Sequence, residues 1–191
     1  MKTVSFLASH GGSAAKIVIG AIQSGELEAN IGIVITNNRD SEIYKWCSFN
    51  NISICHISGN THPDENEKDK TIYNLLLAAN TDFIVLSGYM KKIGSITLGA
   101  YENKIMNIHP SLLPKHGGQG MFGDKVHESV LKSGDSESGA TVQFINSEYD
   151  EGPIIIQQSV PVLNDDTVLR LKKRVQVIEG GLYISAIKKI T

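Results

Sequence analysis

The sequence has few cysteines, little net charge and no long apolar run. Its two cysteines, Cys47 and Cys55, exclude a disulfide framework, and their spacing matches no common zinc motif. We interpret both as small buried apolar residues. The 18 basic and 20 acidic residues give a formal charge of −2, which provides no global field for binding nucleic acid. General DNA or RNA binding is therefore not expected.

No stretch approaches the ~20 apolar residues that a membrane helix needs. The start of the chain, with one lysine and a short apolar run, does not resemble a signal peptide. These absences predict a cytoplasmic protein without a membrane partner. At 191 residues, the chain is expected to form one domain over residues 1–191 and to bury a core without metal or disulfides. The oligomeric state stays open between a monomer and a homodimer.

Short apolar runs alternate with helical segments through the first ninety residues. Strands are predicted at 4–8, 31–36, 52–57 and 83–87, and helices at 14–22, 41–50 and 65–80. This alternation is typical of βαβ units with a parallel sheet. The predicted fold is therefore α/β and Rossmann-like, a mostly parallel twisted sheet with helices on both faces.

In the second half of the chain, the predicted strands and helices no longer alternate regularly. A strand at 104–108 precedes a segment at 114–124 with four glycines, which we interpret as a mobile loop. A short helix is predicted at 126–132, and a long helix from Asp165 to about Lys189. Two strands, at 141–145 and 153–162, flank a turn over 149–153 and predict an antiparallel addition in the C-terminal half.

A glycine turn between the first strand and the first helix is one candidate binding site. The N–H groups of Gly11, Gly12 and Ser13, together with a helix N-terminus, can hold an anion such as a phosphate. The alternative is a tight βα turn with a serine cap and no ligand. The sequence leaves both interpretations open.

The segment Asn107-Ile108-His109-Pro110 is a candidate catalytic site. Residues i and i+2 of a strand face the same way, so Asn107 and His109 are predicted to point together. Active sites of open α/β sheets lie just past strand ends. Asparagine can donate to a developing oxyanion, and histidine can move a proton near neutrality. The alternative is a structural histidine that caps a turn.

Asp150 is a candidate partner for a histidine. As a carboxylate it could pair with an imidazolium, although an aspartate before Gly152-Pro153 is also ordinary turn chemistry. No spacing of histidine, cysteine and acidic residues matches a metal site, so no metal is predicted. No serine lies in a G-x-S-x-G elbow, which argues against that class of hydrolase.

The octapeptide at 107–114, NIHPSLLP, resembles the active-site segment of the folate-dependent formyltransferases. Further segments of the chain are similar to that family: LSGYM at 86–90, SGATV at 138–142, DEGPII at 150–155, and RVQ at 174–176 with Glu179. The resemblance covers essentially the whole chain, and the combination is more specific than any one segment.

The resemblance implies transfer of the formyl group of 10-formyltetrahydrofolate, a co-substrate, to the amine of glycinamide ribonucleotide in purine synthesis. Asn107 and protonated His109 would stabilise the formyl oxygen during direct attack by the amine. Asp150 would keep His109 cationic and, through a water, help to transfer the proton. The resemblance also implies substrate-binding residues. The phosphate would be bound by Gly12, Ser13 and Ala14, the glycinamide by Glu179, and the folate by Met90, Lys91, Lys92, Ile93 and Asn107.

Several residues depart from the family pattern. Ala14 stands where asparagine is common, Gln143 where histidine is common, and Lys91 where arginine is frequent. The alternatives are formyl transfer to another amine, such as an amino sugar nucleotide, and hydrolysis of 10-formyltetrahydrofolate. Formylation of methionyl-tRNA is not expected, since that enzyme carries an extra C-terminal domain.

Overall fold

The computed structural model describes residues 1–148 and 150–191, so Tyr149 of the predicted turn lies outside the described residues. Two compact units divide the chain, Met1–Met106 and Asn107–Thr191. The single domain over 1–191 therefore stays a prediction. In the first unit, β1 (Lys2–Ala8), β2 (Ala29–Thr36), β3 (Ile54–His56) and β4 (Phe83–Ser87) alternate with α1 (Ser13–Gln23), α2 (Glu42–Phe49), α3 (Glu65–Ala78) and α4 (Ser95–Ala100).

Strand β5 (Ile105–His109) begins in the first unit and ends in the second. The second unit continues with α5 (Asp124–Ser133), β6 (Glu137–Phe144), β7 (Ile154–Pro161) and α6 (Val168–Ile190). The strand order is β3-β2-β1-β4-β5-β6-β7. Strand β1 pairs in parallel with β2 and β4, β2 with β3, and β4 with β5, whereas β6 and β7 are antiparallel. The predicted α/β fold, with its antiparallel C-terminal addition, is confirmed.

Continuous apolar runs explain why β1 lies inside the sheet and not at its edge. In β1, five consecutive residues have no solvent exposure, the polar Ser5 and the apolar Val4, Phe6, Leu7 and Ala8. Parallel strands covered on both faces are expected to be apolar throughout rather than at alternate positions. Full burial of a large aliphatic or aromatic side chain contributes about 1.5–3 kcal/mol. The same runs that identified the strands therefore form the core of the first unit.

Helix α4 was not predicted from the sequence, because its N-terminal cap is not local. Asp69 of α3 accepts hydrogen bonds from the backbone N–H groups of Ile96 at 2.8 Å and Thr97 at 3.2 Å. A cap donated from 27 residues away leaves no signature in the adjacent sequence.

The predicted start of the last helix at Asp165 is wrong by three residues. Helix α6 begins at Val168, and the hydroxyl of Thr167 accepts the N–H of Arg170 at 3.3 Å as its cap. Asp166 instead accepts the N–H of Leu163 and pairs with Arg174. Of the two cysteines, Cys47 is fully buried as predicted, whereas Cys55 is only partly buried. None of the helices in the described ranges has both the length and the apolar composition for crossing a membrane.

Candidate active site

The C-terminal end of β5 carries the first two candidate catalytic residues. Asn107 and His109 are two residues apart in the strand, so their side chains leave the same face. His109 is 4% exposed, whereas Asn107 is half-buried. The strand therefore supplies a buried imidazole beside a more accessible amide.

Asp150 lies beside His109, although 41 residues separate the two in the chain. One carboxylate oxygen of Asp150, Oδ2, is 3.3 Å from His109 Nδ1. Asp150 has φ 58, in the left-handed region that aspartate tolerates better than most residues. Two residues later, a Cβ on Gly152 would collide with the carbonyl oxygen of Phe144. The turn thus needs glycine at 152, and it presents the Asp150 carboxylate to the imidazole.

Both ring nitrogens of His109 face groups that only accept hydrogen bonds. Nε2 lies 2.8 Å from the backbone carbonyl oxygen of His116, and Nδ1 faces the Asp150 carboxylate. A neutral imidazole has one N–H and can satisfy only one of these acceptors. Nε2 is therefore the hydrogen-bond donor to the His116 carbonyl, while Nδ1 lies within ion-pair distance of the Asp150 carboxylate.

Two further donors hold the Asp150 carboxylate. The backbone N–H of Gly118 donates to Oδ2 at 3.0 Å, and the amide Nε2 of Gln143 donates to Oδ1 at 3.0 Å. Gln143 is 1% exposed, and its Oε1 has no hydrogen-bond partner among the described residues. The opposite amide orientation would place Oε1 against the carboxylate, so Asp150 determines the orientation observed. The sequence singled out Gln143 as a departure from the family pattern at a position close to the expected catalytic acid.

Residues that no sequence signal identified hold the segment next to this pair. The imidazole of His116 is hydrogen bonded to Ser129 Oγ at 2.8 Å and to Asp135 Oδ2 at 2.9 Å. Ser129 belongs to α5, and Asp135 lies in the short connection between α5 and β6. The predicted loop is irregular backbone between β5 and α5, and its mobility stays a prediction.

The glycine turn of the first unit is the predicted phosphate site. Gly12 is the N-cap of α1 with φ 61, and a Cβ there would lie 2.6 Å from the Ile43 side chain. No side chain caps this helix, so the serine-cap alternative is not what the structure has. The N–H of Ala15 donates to Ser87 Oγ at 3.1 Å. The first N–H groups of a helix lack intrahelical partners, so those of Ser13 and Ala14 are the ones suited to an anion.

A charged pair that the sequence did not reveal flanks this turn. Lys16 of α1 and Glu42 of α2 form an ion pair, and the hydrogen bond from Lys16 holds the pKa of Glu42 below its ordinary value. Glu42 Oε2 would lie 3.6 Å from a Cβ at Gly11, and the ammonium of Lys16 lies 5.8 Å from the ring centroid of Trp46. Both a cation and an anion therefore border the predicted phosphate turn.

The predicted folate segment, residues 90–93, also belongs to the first unit. Its first N–H, that of Met90, donates to Ser9 Oγ at 2.8 Å, and Ser9 Oγ donates to Asn37 Oδ1 at 2.6 Å. The segment ends just before α4. The N-terminus of α4 is fixed by hydrogen bonds to Asp69. Met90 is 57% exposed, and the side chains of Lys91 and Lys92 are exposed while Ile93 is half-buried. The segment is thus fixed at both ends and accessible between them.

Glu179, predicted to bind the glycinamide end, lies on α6 in a partly buried position. Burial raises the pKa of its carboxyl above the ordinary value, and the Lys172 ammonium acts in the opposite direction. One turn later, Tyr183 is fully buried, and burial followed by the charge of Glu179 raises its pKa well above the ordinary value. The second unit therefore holds a partly desolvated carboxyl, with the Lys172 ammonium and the Tyr183 hydroxyl near enough to interact with it.

His127 of α5 is a buried histidine with no assigned role. It is 2% exposed, and its Nδ1 has no hydrogen-bond partner in the described part of the chain. Burial and then the charge of Lys172 lower its pKa, which favours the neutral imidazole at pH 7. Within residues 1–148 and 150–191, no group of three or more histidine, cysteine or acidic side chains could hold a metal ion.

Comparison with known proteins identifies the family of this chain. Residues 1–187 match the family described as formyl transferase. A chloroplastic phosphoribosylglycinamide formyltransferase from Arabidopsis thaliana is 33% identical over 190 residues, which are 99% of this chain and 65% of the relative. The enzyme of that name from Haemophilus influenzae is 32% identical over 191 residues, which cover 100% of this chain and 88% of the relative.

Solved structures of phosphoribosylglycinamide formyltransferases have the same fold as this chain. The crystal structure of phosphoribosylglycinamide formyltransferase from Bacillus halodurans has a TM-score of 0.88 and 30% identity, covering 99% of this chain and 95% of that one. The chain spans about two-thirds of the Arabidopsis relative, at 65% of its length. From the match over 1–187 and the identity to the Haemophilus protein, the chain belongs to the formyl transferase family.

Proposed function

We propose that this chain transfers the formyl group of 10-formyltetrahydrofolate to the amine of glycinamide ribonucleotide. The observation that carries the proposal is the buried His109–Asp150 pair beside Asn107 at the end of β5. The relatives named as phosphoribosylglycinamide formyltransferases support the choice of acceptor.

Asn107 and His109 divide the stabilisation of the formyl oxygen. As the amine attacks, this oxygen gains negative charge, and the Asn107 amide can donate a hydrogen bond to it. The N–H groups of His109 are engaged by His116 and Asp150. His109 therefore acts chiefly through its positive charge, which is worth more in a buried site than in water.

Asp150 has two tasks in this scheme. Its negative charge keeps His109 cationic. Through a water, its carboxylate then takes the proton that the attacking amine loses and returns it to the leaving folate nitrogen. Among the described residues next to His109 and Asp150, none is an activated nucleophile. The substrate amine attacks the formyl carbon directly, so the reaction does not need a nucleophilic side chain.

The remaining predicted residues bind the substrates. The N–H groups of Gly12, Ser13 and Ala14 would bind the ribonucleotide phosphate at the N-terminus of α1. The Glu179 carboxylate would accept hydrogen bonds from the glycinamide nitrogen. The segment 90–93, together with Asn107, would contact the folate. A cytoplasmic location, a monomer or homodimer, and the absence of a nucleic acid partner stay predictions.

The test is release of deformylated folate from 10-formyltetrahydrofolate, with and without glycinamide ribonucleotide, with mass spectrometry of the products. Release that depends on the ribonucleotide, with formylated ribonucleotide as product, is the expected result. Release without any amine would identify a deformylase, and release only with an amino sugar nucleotide would identify another acceptor. Each of these two results overturns the proposal. The His109→Ala variant, purified identically, controls for contaminating activity.

A further inference from the structure

The backbone segment 116–118 contacts both members of the His109–Asp150 pair. The carbonyl oxygen of His116 accepts from His109 Nε2 at 2.8 Å, and the N–H of Gly118 donates to Asp150 Oδ2 at 3.0 Å. Both contacts are made by backbone groups. The position of this segment therefore sets the orientation of the imidazole and of the carboxylate together.

The side chain of His116 ties this segment to α5 and to the connection that follows it. Only 12% of the side chain is exposed, and its two nitrogens bond to Ser129 on α5 and to Asp135 between α5 and β6. Hydrogen bonds from His116 and then Lys115 hold the pKa of Asp135 below its ordinary value. Asp135 is thus an ionised acceptor, and His116 Nε2–H is its donor.

The backbone of the segment is in conformations that need such support. His116 has φ 55 and Gly118 has φ 96, both in the region that side chains disfavour. A Cβ at Gly117 would collide with Leu113 and lie 3.2 Å from Asp150 Cβ. Sparsely populated conformations persist where surrounding interactions determine them. At His116, the bonds to Ser129 and Asp135 are those interactions.

We propose that His116 is a positioning residue, which uses Ser129 and Asp135 to hold residues 116–118 against His109 and Asp150. The role rests on the proposed formyl transfer for its kinetic consequence, but the contact itself is independent of activity. His116 need not touch substrate, because its carbonyl and the N–H two residues later act on the pair.

The test uses variants that remove the anchor and leave the pair intact. Asp135→Ala removes the acceptor of His116 Nε2, and Ser129→Ala removes the partner of Nδ1. His116→Asn keeps a residue that tolerates positive φ but is too short to reach both partners. Two controls accompany them: Lys115→Ala removes the other partner of Asp135, at 3.2 Å, and Asp135→Asn retains an acceptor oxygen.

Asp135→Ala and His116→Asn should lower kcat about 10- to 100-fold, the loss expected from a small misplacement of catalytic groups. KM for both substrates should change less than about twofold, since the substrate contacts remain. Lys115→Ala should keep wild-type kcat, and Asp135→Asn should recover most of the loss. Ser129→Ala, which leaves the bond to Asp135, should have a smaller effect.

NMR of the histidine ring nitrogens provides a readout that needs no activity. The His109 Nε2–H signal, assigned with His109→Ala, should shift in Asp135→Ala and His116→Asn while thermal unfolding stays cooperative. An unchanged signal and kcat in these folded variants would overturn the proposal. So would equal losses in Lys115→Ala and Asp135→Ala. If the wild type transfers no formyl group, the proposed function fails, and the ring signal still tests the anchor.

Discussion

Gln143→Met should separate activity from stability in this protein. The Gln143 amide donates to Asp150 Oδ1 at 3.0 Å in a site where its own side chain is 1% exposed. Methionine has a similar length and shape but no N–H donor. The Asp150 carboxylate accepts hydrogen bonds from the Gly118 N–H and from Gln143 Nε2. The substitution removes the second of these.

Two opposing contributions determine the effect on stability. A hydrogen bond to a charged group contributes about 1.5–3 kcal/mol. Against this, Gln143 Oε1 is buried without a partner among the described residues, and an unsatisfied buried group costs about 1–3 kcal/mol. Methionine removes both contributions, which largely offset each other, so the free energy of unfolding should change by no more than about 2 kcal/mol. The effect on kcat depends only on the lost orientation of the Asp150 carboxylate. An increase of about 1.4 kcal/mol in the activation free energy already corresponds to a tenfold decrease in kcat.

Urea unfolding and steady-state kinetics of Gln143→Met and Gln143→His test this reasoning. Gln143→His keeps an N–H donor and should retain more of kcat than Gln143→Met. The control is Gln157→Met, since Gln157 Nε2 donates to neutral acceptors, Leu113 O at 2.9 Å and Thr141 Oγ1 at 2.8 Å. This control should lose stability and keep kcat. A Gln143→Met enzyme with wild-type kcat, or one destabilised by several kcal/mol, would refute the reasoning.

Four further substitutions probe other parts of the site. Asn107→Ala should lower kcat about 100- to 1,000-fold, as removal of an oxyanion donor does. Asp150→Asn should also lower kcat. Near-wild-type turnover of either variant, if it is folded, would show that the substituted residue does not have the proposed role. Ser13→Asp should raise KM for the ribonucleotide by charge repulsion and leave KM for the folate unchanged, and an unchanged ribonucleotide KM would place the phosphate elsewhere. The raised pKa of Glu179 means that the folded state binds this proton more tightly, so the unfolding free energy falls as pH rises from the ordinary value of 4.5 through the folded value. Glu179→Gln should abolish that fall and be more stable than wild type at pH 7, and urea unfolding at pH 4 and pH 7 measures the difference.

The fold could be predicted wherever the hydrophobic pattern was local. Strand β4 has the predicted bounds, and β1, β2, α1, α2 and α3 lie within a few residues of their predicted positions. Helix α4 was not predicted, and the start of α6 was predicted three residues early, at Asp165 rather than Val168. For α4 the cap comes from Asp69 in another helix.

The candidate site divides in the same way. The spacing of Asn107 and His109 predicted that they share one face of a strand, since side chains alternate along a strand. The resemblance to a family was needed to connect Asp150 to them, because no periodicity links residues 41 apart. Gln143, His116, Ser129 and Asp135 gave no signal for their contacts, since an isolated polar residue in a sequence is usually a solvated one.

The sequence by itself determined the alternation of strands and helices, the candidate catalytic residue types and the family resemblance. Those features depend on neighbouring residues or on short motifs. Only the tertiary structure decided which groups face the His109 ring and the Asp150 carboxylate. Both nitrogens of that ring face acceptors, His116 O and Asp150, because backbone segments from distant parts of the chain converge there. Hydrogen bonds act over about 3 Å, so their partners are set by folding rather than by separation along the chain.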